Sequence, residues 1–212
     1  MLRYEPKISF KEGIIETINF YIKIKIFKIG SCRSSINDYV LPNIDIFYNY
    51  DYCHTTKEVL QCIDFMEGKK TLNKNKEMEC IMNNPESYNP KYFKKYYDEA
   101  DIIYIELSSI KILEYDNYYY SHTRYNKYQK NNNPKLNINL CSMTLEDLED
   151  DIKKIKKKIK KPIIFQGHYD LSSVIDTKIN RKLIDNAILN SADYKIILKD
   201  IFKNPKIILN KY

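Results

Sequence analysis

Two segments of the sequence place reactive side chains directly after apolar runs that predict strands. The first run, Ile22 to Ile29, leads into Gly30-Ser31-Cys32-Arg33. The second, Pro162 to Phe165, leads into Gln166-Gly167-His168-Tyr169-Asp170. In a parallel α/β sheet the carboxyl ends of adjacent strands line one crevice, so we expect these two strand ends to meet. A thiol or hydroxyl beside an imidazole is the combination needed for nucleophilic catalysis with a general base.

The first segment offers two candidate nucleophiles, Ser31 and Cys32. The backbone N–H groups of the turn or helix that follows can stabilise an oxyanion. Arg33 can bind an anionic substrate group through two parallel hydrogen bonds, or it can pair with Asp38 on the surface. A purely structural interpretation is equally open, in which Gly30 allows a tight turn, the serine caps the next segment and the cysteine fills space in the core.

The sequence contains three histidines. His168 is the candidate general base, with a buried or loop histidine as the alternative. His54 precedes a predicted helix, where the helix dipole favours a neutral imidazole, and suits either substrate binding or capping. We expect His122 to be a surface residue at the end of a tyrosine-rich hairpin. The three histidines and Glu106 lack a helical ligand spacing, so we predict no metal site.

A third predicted strand, Ile102 to Ile105, ends in Glu106-Leu107-Ser108-Ser109. Its continuous apolar character indicates burial on both faces of a parallel sheet, beside the strand that leads to Cys32. The Glu106 carboxylate can orient His168 or hold a substrate hydroxyl, and the alternative is a solvated strand end. Asp170 is a second candidate for orienting the histidine.

Composition indicates one folded domain spanning residues 1–212, with 43% hydrophobic and 30% charged residues. The formal net charge of +7 is weak evidence for a nucleic-acid partner, because much of it comes from the run 153–161. Ile152, Ile155 and Ile159 recur there at helical spacing, which places the lysines on the solvated face of a surface helix. We therefore disfavour nucleic acid as a partner.

The five cysteines contain no CxxC pair and their number is odd, so we predict neither a disulfide framework nor a zinc site. The first residues are charged and lack an apolar signal segment. No run approaches the roughly 18–20 apolar residues that a membrane helix needs. These features predict an intracellular, cytoplasmic protein without a membrane partner or cofactor, and they leave its oligomeric state open.

Strands alternate with helices along the chain, which predicts a three-layer α/β/α fold around a doubly wound, mostly parallel sheet. Further strands are expected near 45–48 and in at least one of the apolar segments 195–198 and 206–209. Residues 1–20 are expected to form an irregular or helical lead-in, and 34–39 a turn or short helix. Helices are expected to begin at Thr55 or Thr56, at 91, at 144 and at 180. Asp116-Asn117 predicts a hairpin turn, and 69–90 is expected to form loops with a short helix near 78–82.

The strand followed by Gly30-Ser31-Cys32 resembles the first block of the SGNH, or GDSL-like, hydrolase superfamily, whose Gly-Asp-Ser carries a nucleophilic serine. The late strand with His168 resembles its last block. The alignment puts Cys32 at the nucleophile position, as in relatives that have cysteine there, namely the GSCFA domain and capsule-polysaccharide acetyltransferase-like proteins. Residues 106–109 fall where the family has its Gly-x-Asn-Asp block.

The resemblance implies a flavodoxin-like topology and an esterase or acyltransferase acting on an O-acyl group of a small molecule or glycan. Phe165 stands where the family has its acid, and the oxyanion-hole asparagine is replaced at best by Ser108 or Ser109. An inactive SGNH-fold module that binds a glycan or a protein is therefore the alternative. A basic nucleic-acid-associated protein is a third hypothesis, which rests on the lysine run alone.

Overall fold

The computed structural model describes residues 24–30, 44–50, 53–72, 76–82, 88–131, 135–167 and 175–197. Its strands are β1 Ile24–Ile29, β2 Ile44–Tyr50, β3 Ile102–Glu106, β4 Lys111–Tyr115, β5 Tyr118–Tyr120, β6 Asn139–Ser142, β7 Ile163–Gly167 and β8 Tyr194–Ile197. Its helices are α1 Thr56–Met66, α2 Pro90–Glu99, α3 His122–Lys130, α4 Leu145–Lys158 and α5 Ile175–Ser191. A short 3₁₀ helix spans Lys76–Cys80.

Five strands form a parallel sheet in the order β2-β1-β3-β7-β8. The protein therefore has a mixed α/β fold with a parallel sheet, as the alternation of strands and helices predicted. β1 and β7 are not neighbours, because β3 pairs with both of them. The end of β3 therefore lies between the two strand ends that were expected to meet.

One face of this sheet is apolar and carries the main core. Its fully buried side chains include Phe27, Ile29, Ile103, Ile105 and Phe165. Helices α1, α4 and α5 contribute apolar side chains to the same core cluster, for example Val59, Ile152 and Ile188. Burial of this surface supplies most of the driving force for folding, at about 25 cal/mol per Å² of apolar area.

The lysine-rich segment forms the outer face of α4, as its spacing predicted. Ile152, Ile155 and Ile159 are buried in the core, whereas Lys153 and Lys154 are exposed. Thr144 and Asp147 form the predicted capping box at the start of the helix. Helical periodicity therefore located both the buried and the solvated side of this element.

A second, antiparallel sheet has the order β5-β4-β6. Asp116 and Asn117 join β4 to β5 with φ values of 49° and 62°, the left-handed pair that a two-residue hairpin turn requires. The predicted hairpin is confirmed. Gln61 of α1 ties it to the rest of the fold, since its side chain bonds both the N–H and the carbonyl of Tyr119.

Some sequence predictions fall outside the described residues, namely the lead-in at 1–20, the turn at 34–39 and the apolar segment at 206–209. Within the described part of the chain, no helix is both long and apolar enough to cross a bilayer. No group of three or more His, Cys, Asp or Glu residues among the described positions is arranged to hold a metal ion.

Candidate functional site

Three strand ends define the carboxyl edge of the parallel sheet. β1 ends before Gly30, β3 ends at Glu106 and β7 ends at Gly167. Adjacent strands are about 4.8 Å apart, so the ends of β1 and β7 are separated by about 10 Å. Glu106 lies between them and is the one carboxylate within these three strands, which places it where a nucleophile and a base from the flanking strands would have to meet.

Gly30 and Glu106 are in direct contact. A Cβ atom added to Gly30 would lie 2.7 Å from the Glu106 Cβ, 3.2 Å from its Oε2 and 3.2 Å from its backbone nitrogen. Only glycine fits here without displacing the glutamate. Glu106 is fully buried, so the alternative interpretation of a solvated strand end is wrong.

His54 is held at the end of β3 by three contacts with the serines that follow the strand. Its Nδ1 lies 2.9 Å from the Ser108 Oγ. The backbone N–H groups of Ser108 and Ser109 both donate to the His54 carbonyl, each at 3.0 Å. The structure thus joins three residues that the sequence proposed separately for substrate or oxyanion binding.

The capping network of α1 continues directly from His54. Thr55 is the N-cap, and the Glu58 carboxylate accepts hydrogen bonds from the backbone N–H groups of His54 at 2.6 Å and Thr55 at 2.8 Å. Burial raises the pKa of Glu58 to about 7, against the opposing effect of these hydrogen bonds and of the Arg124 charge. A carboxyl group that titrates near neutrality therefore lies next to the histidine backbone.

The same sheet also carries a set of buried polar side chains that was not expected from the sequence. Lys28, Tyr104 and Gln166 are all at least nine-tenths buried, like Glu106. The Tyr104 hydroxyl donates to the Gln166 Oε1. The available signal was alternation, because Tyr104 and Glu106 lie two positions apart in β3, and Lys28 in β1 and Gln166 in β7 each follow a buried apolar residue.

His122 and Phe165 lie in different environments from these groups. His122 begins α3 with a half-buried side chain, and burial together with the Lys111 charge lowers its pKa. The imidazole is therefore neutral at neutral pH. Phe165 is fully buried in the apolar core, so the position of the SGNH acid supplies no carboxylate here.

The other candidate residues are Ser31, Cys32, Arg33, His168 and Asp170, and they lie outside the described part of the structure. In the sequence, Ser31, Cys32 and Arg33 follow β1, and His168 and Asp170 follow β7. The geometry of a nucleophile and its base is thus a prediction from strand order, whereas Glu106, His54, Ser108 and Ser109 are located directly.

Residues 24–131 match the family model of the TviD N-terminal domain. This range is just over half of the chain, and the protein belongs to the TviD N-terminal domain family. The matched range includes Cys32, His54, Glu106 and Ser108 but not His168. No curated protein and no solved structure matches the chain.

Proposed function

We propose that the protein is a divergent SGNH-like esterase or O-acyltransferase that acts on an O-acyl group of a glycan. The observation that carries this proposal is the buried Glu106 carboxyl packed against Gly30, between the strand end that leads to Cys32 and the one that leads to His168. Reactive groups in open α/β sheets gather at this edge.

The strand order supports the SGNH-like part of the proposal. Counted within its own sheet, the order 2-1-3-4-5 is that of flavodoxin-like, doubly wound folds. Its switch point lies between β1 and β3, the two strands whose ends bring Gly30 and Glu106 together. A three-layer arrangement of the kind found in SGNH hydrolases is consistent with this order.

The family match supports the substrate class. A TviD N-terminal domain suggests a role in the O-acetylation or biosynthesis of the Vi antigen polysaccharide. We accordingly propose an acetyl or similar acyl ester on a sugar hydroxyl as the group that is removed or transferred. Water would accept the acyl group in an esterase, and a second hydroxyl would accept it in an acyltransferase.

In the proposed reaction Cys32, or Ser31 in its place, transfers its proton to His168 and attacks the ester carbonyl carbon. The tetrahedral intermediate collapses as the ester C–O bond breaks, and the leaving alcohol takes the proton from His168. Water or an acceptor hydroxyl then gives its proton to His168 and attacks the acyl-enzyme, and the released nucleophile takes that proton back from His168. Glu106 or Asp170 would orient the imidazole.

The end of β3 supplies candidates for binding the acyl group. The Ser108 hydroxyl and the His54 Nδ1 are joined by a hydrogen bond whose direction depends on the tautomer of the histidine. If the hydroxyl donates to Nδ1, the opposite ring nitrogen carries a proton and can donate to a developing oxyanion. His54 would then take the place of the missing asparagine.

The kinetic test uses p-nitrophenyl acetate as the probe. Cys32→Ala and His168→Ala should each lower kcat/KM at least about 100-fold, because removal of a nucleophile or its base typically costs this much. Ser31→Ala should have a smaller effect. Cys141→Ala is the matched control, because Cys141 is an exposed free thiol on β6 and its removal should leave the rate unchanged.

Equal rates in the wild type and in all these variants would exclude the proposed enzyme. A rate that depends on Cys141 alone would show that the probe reacts with an accessible thiol rather than at the site. His54→Ala extends the test, because it should lower kcat about tenfold or more while leaving the acylation site at residue 32.

A second candidate function is a catalytically silent SGNH-fold module that binds a glycan or a protein. The burial of Phe165 at the position of the family's acid is the observation that favours it. Calorimetric binding of an O-acetylated polysaccharide without turnover, unchanged by Cys32→Ala, would support this candidate. Turnover lost in Cys32→Ala would exclude it.

The proposal also includes the class of binding partner. Several lysines of α4 are engaged by carboxylates, as in the pairs Lys153 with Asp150 and Lys156 with Asp193. This partial neutralisation supports a glycan or small-molecule ester as partner rather than nucleic acid. The cytoplasmic location and the single-domain organisation stay predictions.

A further inference from the structure

His54 is held in place through its backbone N–H, its carbonyl and its ring. The carbonyl accepts hydrogen bonds from the N–H groups of Ser108 and Ser109, each at 3.0 Å. The N–H donates to the Glu58 Oε2 at 2.6 Å, and the ring Nδ1 lies 2.9 Å from the Ser108 Oγ. The histidine is therefore fixed on one side by α1 and on the other by the residues that follow β3.

The Glu58 carboxylate does more than a helix cap requires. In a capping box, the carboxylate at the third helical position accepts from the N–H of the N-cap residue, which is Thr55 here, at 2.8 Å. The same Glu58 oxygen also accepts from His54, which lies one position before the N-cap. This additional hydrogen bond is not part of the capping motif, and it is the shorter of the two.

The capping box of α4 shows the motif without the additional bond. Asp147 accepts from the backbone N–H and the hydroxyl of Thr144. Met143, the residue before that N-cap, donates its N–H to the Ile110 carbonyl instead. Asp147 is exposed, whereas Glu58 is buried. A capping box thus requires neither a buried carboxylate nor a contact with the preceding residue.

The burial of Glu58 is unfavourable for the ionised carboxylate. Desolvation raises its pKa to about 7, so ionisation of this group as the pH rises through 7 lowers stability. The groups that oppose this effect are the N–H groups of His54 and Thr55, the Thr55 hydroxyl and the charge of Arg124 on α3. Proteins depart from favourable local choices chiefly at functional sites, which is consistent with a role for Glu58 beyond capping.

We infer that Glu58 is a positioning residue, whose carboxylate holds the His54 N–H and thereby fixes the imidazole against Ser108. Glu58 acts through His54 and not on the substrate. The catalytic meaning of this arrangement rests on the proposed function, in which His54 stabilises the developing oxyanion. The positioning itself is a property of the folded chain, so it can be measured without a substrate.

Glu58→Asp separates positioning from capping. An aspartate caps α4 from the same helical position, so this variant should keep the hydrogen bond with Thr55, whereas its shorter side chain should lose the one with His54. Glu58→Gln keeps the length of the side chain and an acceptor oxygen, so it should behave like the wild type. Asp147→Ala is the matched control, because it removes the carboxylate of a capping box that does not hold the residue before its N-cap.

The first readout is the imidazole of His54, observed by NMR in protein labelled with ¹⁵N at histidine. His54→Ala assigns its resonances by their disappearance, and Ser108→Ala shows where they lie without the hydroxyl. Glu58→Asp should move the ring nitrogen resonances in the direction seen for Ser108→Ala, because the ring is no longer held at hydrogen-bonding distance. Glu58→Gln and Asp147→Ala should leave these resonances near their wild-type positions.

The second readout is the hydrolysis of p-nitrophenyl acetate. Glu58→Asp should lower kcat about tenfold and change KM less than about twofold, because it misplaces a group that acts in the transition state. In the His54→Ala background, the same substitution should cause no further loss of kcat, because its effect depends on the histidine. A general loss of structure would lower kcat in both backgrounds.

Unmoved His54 resonances in Glu58→Asp, an equal movement in Asp147→Ala, or an equal loss of kcat with and without His54 would overturn the inference. Movement of the resonances in a protein that does not hydrolyse the ester would retain the positioning role and exclude the proposed function. Hydrolysis that depends on Cys32 and His168, with His54 resonances unmoved in Glu58→Asp, would retain the proposed function and exclude the positioning role.

Discussion

The contact between Gly30 and Glu106 is the most constrained feature at the scale of single residues. It joins the residue that follows β1 to the end of β3, and it involves backbone and Cβ atoms as well as the flexible end of a side chain. A larger residue at position 30 therefore has to displace the strand or the buried carboxyl. The site therefore requires a residue without a side chain at position 30, in addition to its reactive groups.

Gly30→Ala should destabilise the protein by about 1–3 kcal/mol, the usual range for overpacking in a dense interior. Urea denaturation measures this change. Gly68→Ala is the control, because Gly68 has a φ of 69° and open space around its Cβ position, so only backbone strain of about 1 kcal/mol is expected. Gly30→Ala should also abolish ester hydrolysis, whereas Gly68→Ala should leave it intact; the reverse pattern would contradict the packing described here.

Glu58 predicts a specific dependence of stability on pH. Its folded pKa of about 7 lies above its ordinary value of 4.5, so the folded protein binds more protons than the unfolded chain between these two values. The contribution of this group to stability is therefore present below about pH 4.5 and is lost as the pH rises through 7. Glu58→Gln keeps a capping side chain and should remove this decline, which is on the order of 3 kcal/mol.

Asp147→Asn provides the control for this titration, because Asp147 occupies the same capping-box position in α4. Hydrogen bonds from the Thr144 backbone and side chain lower its pKa, so its contribution is lost only at pH values below its ordinary 3.8. Chemical denaturation at a series of pH values should show the decline between pH 4.5 and 7 in Asp147→Asn but not in Glu58→Gln. An unchanged decline in Glu58→Gln would assign it to another group.

Sequence patterns located several site residues but not their contacts. Glu106 and Ser108 were predictable because they end a continuous apolar run. The hydrogen bond between His54 and Ser108 joins residues 54 positions apart, and no local pattern encodes such a pairing. The burial of Glu106 was not predictable for the same reason, since it follows from the packing of β1 and β7 on either side of β3.

At the scale of elements, a buried carboxylate connects α1 to α4. Asp151 is fully buried and accepts hydrogen bonds from Thr56 Oγ1 at 2.8 Å and from Lys57 Nζ at 2.9 Å. These two donors lie in the first turn of α1, directly after His54 and Thr55. The link therefore anchors the helix end that carries the histidine of the site.

Asp151→Ala should cost about 3 kcal/mol, because it leaves the buried Thr56 hydroxyl with only the weaker Met143 sulfur as acceptor and removes the carboxylate that pairs with the Lys57 charge. Asp150→Ala is the adjacent control, since the Asp150 pair with Lys153 is exposed on both sides and should contribute no more than about half a kcal/mol. Thermal unfolding distinguishes the two variants. Equal losses of stability in Asp151→Ala and Asp150→Ala would mean that burial does not strengthen the Asp151 contacts.

The elements that sequence reasoning missed are those without a buried face. All four residues of β6 are exposed, so the strand shows no alternation and is recruited by pairing with β4. In α3 only Tyr128 is buried, so the helix lacks an apolar period. By contrast, β3 and α4 were predicted closely. The sequence of β3 is a continuous apolar run, and the apolar residues of α4 recur at helical spacing.

At the scale of the whole molecule, the candidate site residues come from two parts of the chain, one inside and one outside the range that matches the family. Residues 24–131 contain the candidate nucleophile, His54 and Glu106, and they match the TviD N-terminal domain. β7 and His168 follow outside that range. The proposed chemistry therefore requires that pairing of β3 with β7 bring a later segment to the edge formed by the matched region.

The acyl-enzyme itself tests this account most directly. The protein is incubated with p-nitrophenyl acetate, quenched in acid and digested, and the acetylated peptide is identified by mass spectrometry. We expect one acetyl group on Cys32, formed in wild type and in Cys141→Ala and accumulating in His168→Ala more slowly than in wild type. Acetylation confined to Cys141, or an unmodified Cys32 in protein that still hydrolyses the ester, would contradict the assignment of Cys32 as the nucleophile.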